Sequence, residues 1–362
     1  MTMKKSFLWQ GIGYLPIQAY RIMKKYYDNP PSEDYLYISR KSLIPVILKN
    51  KIEFLKLSET TNIYNNTPND ILNYIDGVLD IDEKKLKEKI KEHKISFDKK
   101  FEDLNTFNTF VKILVDNFYD EERINSNQEI YRNYFKEIYK GKVATFDIGY
   151  SARPEMYISQ LCNKGIDTYF CNINGDEALV HAQRGKFKIK CFFDGKPSVT
   201  GFSYESVLSA LAPSCIKYDI SEGKVVPVFE KYDKNYFEEY IIGCMQEAAM
   251  MFIKDVTNIF DESIELLYTQ RHYISIPILS YINSSRDFDR KIFDDIYFED
   301  DVGMKEHYSL GDLIKKEMKN KNQASLEKLF NIENEEKIEK ERKKEQPVRK
   351  KTFFLFRLLK KR

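Results

Sequence analysis

The stretch from Lys142 to Ile173 constrains the fold more than any other part of the chain. Val143-Ala144-Thr145-Phe146-Asp147-Ile148-Gly149 reads as a strand that ends in Asp-x-Gly. Ser151-Ala152-Arg153-Pro154 turns the chain, and the spacing predicts a helix from about Glu155 to Asn163. Pro154 suits its first turn, and Gly165 is the expected C-cap. Thr168-Tyr169-Phe170-Cys171-Asn172-Ile173 is a second strand. Strand, helix and strand in about 30 residues make a βαβ unit. A small-residue turn leading into a helix N-terminus offers backbone N–H groups and the positive end of a helix dipole. Such a turn suits a phosphate, a carboxylate or a nucleotide.

The N-terminal region has a related pattern. Residues 6–9 are apolar, Gly11 and Gly13 break the run, and Ile17, Tyr20, Ile22 and Met23 fall near one face of a helix from Leu15 to Tyr27. Asn29-Pro30-Pro31 ends it, and Tyr35-Leu36-Tyr37-Ile38 is a compact strand before Ser39-Arg40 and a helix near Leu43. The expected fold class is therefore α/β: a Rossmann-like, mostly parallel sheet with a helical insertion and a helical C-terminal layer. The sheet domain takes residues 1–48 and 141–230, the insertion 49–140, and the helical layer 231–330. A charged tail spans 331–362.

Other segments fit this plan. Asp82 to Lys94 reads as a solvated helix, with Asp80 or Asp82 as its N-cap. Asp80-Ile81-Asp82 resembles a phosphatase aspartate pair only superficially, because a lysine-rich helix follows it. Aromatic residues at helical spacing in 107–119 and 131–139 predict core packing. A strand over 187–193, a turn at 194–197 and a short helix over 204–211 follow. Residues 225–229 read as an edge strand, since Pro227 has no N–H to give a ladder. Tyr236 to Val256 is an amphipathic helix with Phe237, Tyr240, Ile241, Cys244, Met245, Ala248, Phe252 and Val256 on its expected apolar side. Helices are expected to continue to about Phe330.

Charge and cysteine usage exclude several classes. Lys+Arg is 58 and Asp+Glu 56, a net charge of +2, so nothing drives the whole chain toward nucleic acid. The 5 cysteines show no C-x-x-C spacing, and the 4 histidines are scattered with no H-E-x-x-H. A His-rich metal site is therefore not expected, and the cofactor is left open. No run of about 18 apolar residues predicts a membrane span, and the N-terminus has no long apolar core of a signal peptide. The expected location is cytoplasmic. Residues 349–362 carry seven basic residues and no acid, interleaved with Phe353, Phe354, Phe356 and leucines. This tail could lie on the anionic inner face of a membrane. Its alternative is a flexible end or a helix docked on the protein.

Several segments together resemble one known group of proteins. Phe7-Leu8-Trp9-Gln10-Gly11-Ile12-Gly13-Tyr14-Leu15 is similar to a segment that usually reads F-L-x-R-D-G-Y-L. Tyr35 to Leu43 resembles Y-x-x-S-R-x-x-L, and Asp147-Ile148-Gly149-Tyr150-Ser151 resembles D-I-G-[WY]-S-G. Tyr204 to Ala210 and Phe298-Glu299-Asp300 resemble two later elements. In this order they occur in haloacid-dehalogenase-superfamily proteins of bacterial surface-polysaccharide gene clusters, in the module that follows the hydrolase domain. Here the hydrolase domain has no counterpart, Gly11-Ile12 stands in place of Arg-Asp, and Ala152 stands in place of the last glycine.

The resemblance implies a cytoplasmic protein of surface-glycan biosynthesis that binds a sugar nucleotide or phosphosugar, beside other glycan-assembly proteins. If an enzyme, it would be transferase-like rather than a phosphatase. Asp147 could hold a ribose hydroxyl or a metal-bound water, and Glu205 could act as a base. Ser39, Arg40, Gly149, Ser151 and Arg153 are the expected ligand-binding residues, with Arg40 a natural partner for a phosphate. In an open α/β sheet these loops converge at the carboxyl ends of the strands. Two other readings remain. One is a degenerate scaffold at the membrane, which the missing Arg-Asp favours. The other is an S-adenosylmethionine-dependent methyltransferase, for which Asn172 and Asn174 stand where an acid is expected.

Overall fold

A computed structural model describes residues 5–10, 13–59, 66–194, 205–231, 236–266, 291–300, 304–312 and 315. The chain divides into two units, Met1–Leu313 and Ile314–Arg362. The described residues belong to the first, apart from Lys315. The basic tail and Gly11-Ile12 lie outside them.

The first unit is built on a parallel sheet of five strands: β1 (Lys5–Gln10), β2 (Ser32–Leu36), β3 (Lys142–Asp147), β4 (Asp167–Ile173) and β5 (Ile189–Asp194). Their order is β2-β1-β3-β4-β5, and every pairing is parallel. The α/β class expected from sequence is what the chain adopts, in one of the two common doubly wound strand orders. Connection α1 (Tyr14–Met23) leads from β1 outward to β2. Connections α8 (Arg153–Cys162) and α9 (Gly175–Gly185) lead the opposite way, from β3 to β4 and from β4 to β5. Right-handed crossovers then put α1 on one face and α8 and α9 on the other. The packing agrees: α8 lies against α9, while α1 lies against a long helix near the C-terminus.

Between β2 and β3 the chain makes a helical insertion. Its elements are α2 (Ile44–Ile47), α3 (Lys51–Leu55), α4 (Pro68–Tyr74), α5 (Glu83–Glu92), α6 (Leu104–Phe118) and α7 (Glu121–Ile138). Each start has a sequence reason. Thr67 and Asp70 form a capping box at α4, and Asp103 accepts from Thr106 N at 2.7 Å at the start of α6. Asp82 caps α5 through the N–H groups of Lys84 and Lys85, so the Asp80–Asp82 stretch is a helix start. Phe107, Phe110, Val111, Leu114 and Phe118 repeat at three- and four-residue intervals and enter one core with Phe54, Ile71 and Leu86. Helix α7 joins this core to the sheet. Ile124, in its first half, packs in the insertion, while Tyr131 and Phe135 pack with Leu36, Ile158 and Ile166.

The structure differs from the sequence expectations at four places. Helix α9 falls between the expected strands 168–173 and 187–193, in a segment for which no element is expected. The strands beyond residue 214 lie outside the main sheet. They form an antiparallel hairpin of β6 (Cys215–Ser221) and β7 (Lys224–Phe229), held to α7 by Tyr218 among the rings of Tyr131, Tyr134 and Phe135. In the expected helical layer, β8 (Tyr297–Asp300) and β9 (Met304–Ser309) form a second hairpin. Finally, α10 (Tyr236–Phe260) is the long helix against α1, but its buried side is not the expected one. Glu238, Ile241, Ile242, Gln246 and Thr257 are buried, whereas Tyr240, Cys244, Ala248 and Phe252 are exposed.

Gly165 also has another role. The C-cap of α8 is Asn163, left-handed at φ 49°. Gly165 lies against the backbone after α9, where an added Cβ would sit 2.0 Å from the Lys186 carbonyl oxygen. Gly165→Ala must therefore displace backbone. We expect a loss of about 1–3 kcal/mol in urea denaturation, the scale for overpacked sites. A neutral effect would show that the β4 approach gives way easily.

Candidate functional site

Strand β3 lies beside β1, and the chain leaves these two strands toward opposite faces of the sheet. A crevice between diverging connections is where open α/β sheets place ligands. Asp147 is the last residue of β3 and only 4% exposed. Its Oδ1 accepts the Gly149 N–H at 3.0 Å, which bends the chain over the strand end. An added Cβ at Gly149 would lie 2.8 Å from Asp147 Oδ2, so a glycine is what leaves that oxygen room. Ala152 then takes φ 56°, ψ 22°, a left-handed conformation that costs a non-glycine residue roughly 1–2 kcal/mol. The resembled motif has glycine at this position. Helix α8 begins at the next residue with Pro154 in its first turn.

The start of α9 fixes this turn from outside. Asn174 N–H donates to the Tyr150 carbonyl at 2.7 Å. His181 Nδ1 is 2.6 Å from the Ser151 carbonyl oxygen, which only accepts, so Nδ1 carries the hydrogen. Arg153 Nη2 pairs with Glu177 Oε1 at 2.7 Å, and Asn174 Nδ2 donates to the other Glu177 oxygen at 3.2 Å. Ser151 Oγ accepts from Arg153 N at 3.4 Å, a long bond.

A second segment meets the turn through Tyr150. Residues 205–208 are helical, and Glu205 Oε2 accepts the Tyr150 hydroxyl at 3.0 Å. The Gln246 side-chain amide on α10 donates to the carbonyls of Val207 and Ser209 at 2.8 and 2.7 Å. Helix α10 thus positions Glu205 through a buried amide.

The electrostatics follow from this burial. Removal from water pushes the Asp147 carboxyl up to about 6, and the negative charge of Glu205 adds to the rise. The N–H groups of Gly149 and Ile148 and a hydrogen bond with Glu155 oppose it. Glu155, in the first turn of α8, is also only 4% exposed. Burial, then Glu205, pushes the Tyr150 phenol far above its ordinary range, so Tyr150 is a donor at all physiological pH values.

Arg40 follows β2 and is exposed. Burial pushes the Tyr74 phenol, at the end of α4, up to about 12, and Arg40 and Arg153 both act against that rise. One phenol therefore feels both guanidinium groups. Tyr157 on α8 is raised by burial as well, with Arg153 and Arg184 acting against the rise.

The structure thus brings Asp147, Gly149, Ser151, Arg153 and Glu205 together, and the charges of Arg40 and Arg153 both act on the Tyr74 phenol. Ser39 differs from the expectation of a ligand contact. Its Oγ donates to the Cys215 carbonyl at 2.6 Å and accepts from Ser42 N at 3.0 Å, tying the β2 exit to the β6–β7 hairpin. That hydroxyl is used in the frame. Sequence reasoning passed over Glu155, Glu177 and His181. The last two sit in the unrecognised helix α9, and an acid in a first helical turn is ordinarily solvent-facing. Tyr150 was visible as the aromatic position of D-I-G-[WY]-S.

Among the described residues, no group of three or more His, Cys, Asp or Glu side chains is arranged to hold a metal ion. No helix among them is long and apolar enough to cross a membrane. A groove lined by Glu83, Lys84, Lys87, Glu88 and Lys91 is the exposed face of α5 alone, with the Glu83–Lys87 ion pair on it. No family model matches the chain, and no curated protein matches it.

Proposed function

We propose that this chain binds a sugar nucleotide or phosphosugar in the crevice at the carboxyl ends of β1 and β3, in the service of surface-glycan assembly. The observation that carries the reading is Asp147. It is a carboxyl buried at the end of a central strand, next to the crossover reversal, with a glycine leaving one of its oxygens room. Burial of an acid in this place is costly for folding and suits a ligand site. Asp147 and Glu205 would accept hydrogen bonds from sugar hydroxyls. Arg153 and Arg40 would face the phosphate, with Arg153 exchanging Glu177 for it. Phosphatase chemistry has no support, since Asp82 is a helix cap.

A thermal-stability panel tests this. Sugar nucleotides, sugar phosphates, phosphoribosyl pyrophosphate and S-adenosylmethionine are each added with and without magnesium. A binder at 100 times its Kd adds about 2.7 kcal/mol of stability. We expect the shift from UDP-glucose or glucose 1-phosphate, and its loss in Arg153→Gln. A shift from S-adenosylmethionine alone would support the methyltransferase reading instead. No shift from any compound would count against ligand binding and favour the scaffold.

A further inference from the structure

Helix α10 has one side packed and one side in water. The packed side is fixed by α1, by the Tyr26 hydroxyl donating to the Thr257 carbonyl at 3.1 Å, and by the Gln246 bonds to the 205–209 segment. The other side carries Tyr240, Cys244, Ala248, Met251, Asp255 and Ile259, all exposed. Intervals of four, four, three, four and four residues keep them on one stripe, at the spacing of a helix–helix seam. Phe252 widens the stripe on one flank. Tyr240, Met251, Phe252 and Ile259 are each more than half exposed. At about 150–250 Å² for each large side chain, these four leave on the order of 500 Å² in water. That is the upper part of the range, about 300–600 Å², for the largest apolar patch on a lone soluble chain.

The charges on this face indicate what covers it. Its exposed acids are Glu247 and Asp255, and its exposed base is Lys254. A lipid surface of anionic charge calls for the opposite excess. Glu247 and Lys254 stand seven residues apart on the flank away from Phe252, and their midpoint falls between Met250 and Met251. A twofold axis through that midpoint sets Glu247 of one copy level with Lys254 of the other, on the same flank, and symmetry repeats the pair. Met251 then lies beside the axis and meets its own counterpart. Asp255 falls next to Cys244 of the other copy, and a polar residue in such a seam fixes the register at some cost in stability.

We infer that two copies of this chain pair antiparallel through the exposed face of α10, with Glu247 and Lys254 forming two symmetric ion pairs across the axis. The two stripes together supply about 1,000 Å², the lower limit for a specific interface, so association is expected in the micromolar range. The face lies opposite the one that holds the 205–209 segment, so pairing and support of the ligand crevice use different sides of α10.

Sedimentation velocity on the full chain, from about 1 to about 100 µM, tests this. The native chain should pass from monomer to dimer over that range. Met251→Glu puts two carboxylates at the axis and should leave a monomer throughout. Glu247→Lys and Lys254→Glu each set like charges against one another at both pairs and should weaken the dimer about tenfold. The double variant, Glu247→Lys with Lys254→Glu, restores both pairs in reverse and should return the native association within about threefold. All three positions are exposed, so urea midpoints measured where each variant is monomeric should match that of the native monomer, which separates lost pairing from lost folding. A native chain that stays monomeric would overturn the inference. So would a dimer indifferent to Met251→Glu, which would place the contact on another face, or a double variant no better than the single ones, which would remove the antiparallel register. Pelleting of a monomeric native chain with phosphatidylserine vesicles, abolished by Met251→Glu, would make a lipid surface the occupant and overturn it as well.

Discussion

Asp147→Asn is expected to be more stable than the native chain above pH 6 and to lose the ligand. The Asp147 carboxyl is raised from 3.8 to about 6, chiefly by burial. The folded state therefore binds this proton more tightly than the unfolded state does. Stability from this group is fully present below about pH 4 and is lost as pH rises through about 6. A rise of about two units corresponds to about 3 kcal/mol, an upper figure because neighbouring acids share the titration. Asparagine keeps an oxygen for the Gly149 N–H and has no charge to bury. Urea denaturation at pH 4 and pH 8 measures the effect. The variant should gain about 1–3 kcal/mol over the native chain at pH 8 and nothing at pH 4. Equal stability at both values would mean that Asp147 is not strained by its site. A stabilising substitution that abolishes binding is the pattern expected where a fold gives up stability for function.

The second large effect concerns the support of the site. Phe135 on α7 is fully buried, with ring centroids 6.0 Å from Tyr139 and 5.6 Å from Tyr218. It sits where the insertion, the hairpin and α8 meet, in one cluster with Leu36 and Ile158. Phe135→Ala removes that ring and leaves a cavity, at an expected cost of about 3–5 kcal/mol. Because α8 carries Arg153 and Glu155, the variant should also bind the ligand more weakly at temperatures where it is still folded. Denaturation midpoints and probe titrations on the same sample separate the two effects. A loss below about 1 kcal/mol would mean that the cluster closes over the gap.

How much of this was legible in the sequence depended on how local each signal is. The βαβ unit at 142–173 could be read because an apolar run, a small-residue turn and Pro154 agree on one geometry. Asp147 stood out because Asp-x-Gly ended a strand. Glu155 did not, because nothing near it in the sequence says that the first turn of α8 faces the strand end instead of water. Helix α9 was hidden by its polar start, Asn174-Gly175-Asp176-Glu177, which reads as a loop. Helix α10 carries apolar residues on more than one face, and the side that periodicity chose, with Tyr240 and Phe252, is not the buried one. Ile241 and Ile242 went inside, and Phe252 and Ile259 are 69% and 76% exposed. The choice was made by α1 and by the buried bonds of Gln246 to the 205–209 segment, contacts across long separations in sequence. The hydroxyl of Ser39 was likewise claimed by a hairpin some 176 residues away.

The most direct test of the site itself is amide hydrogen exchange with and without saturating UDP-glucose. The crevice account predicts slowed exchange in peptides covering residues 148–156 and 205–209, with the helical insertion beyond α4 unchanged. Slowed exchange confined to other segments, with 148–156 exchanging as in the free protein, would contradict it.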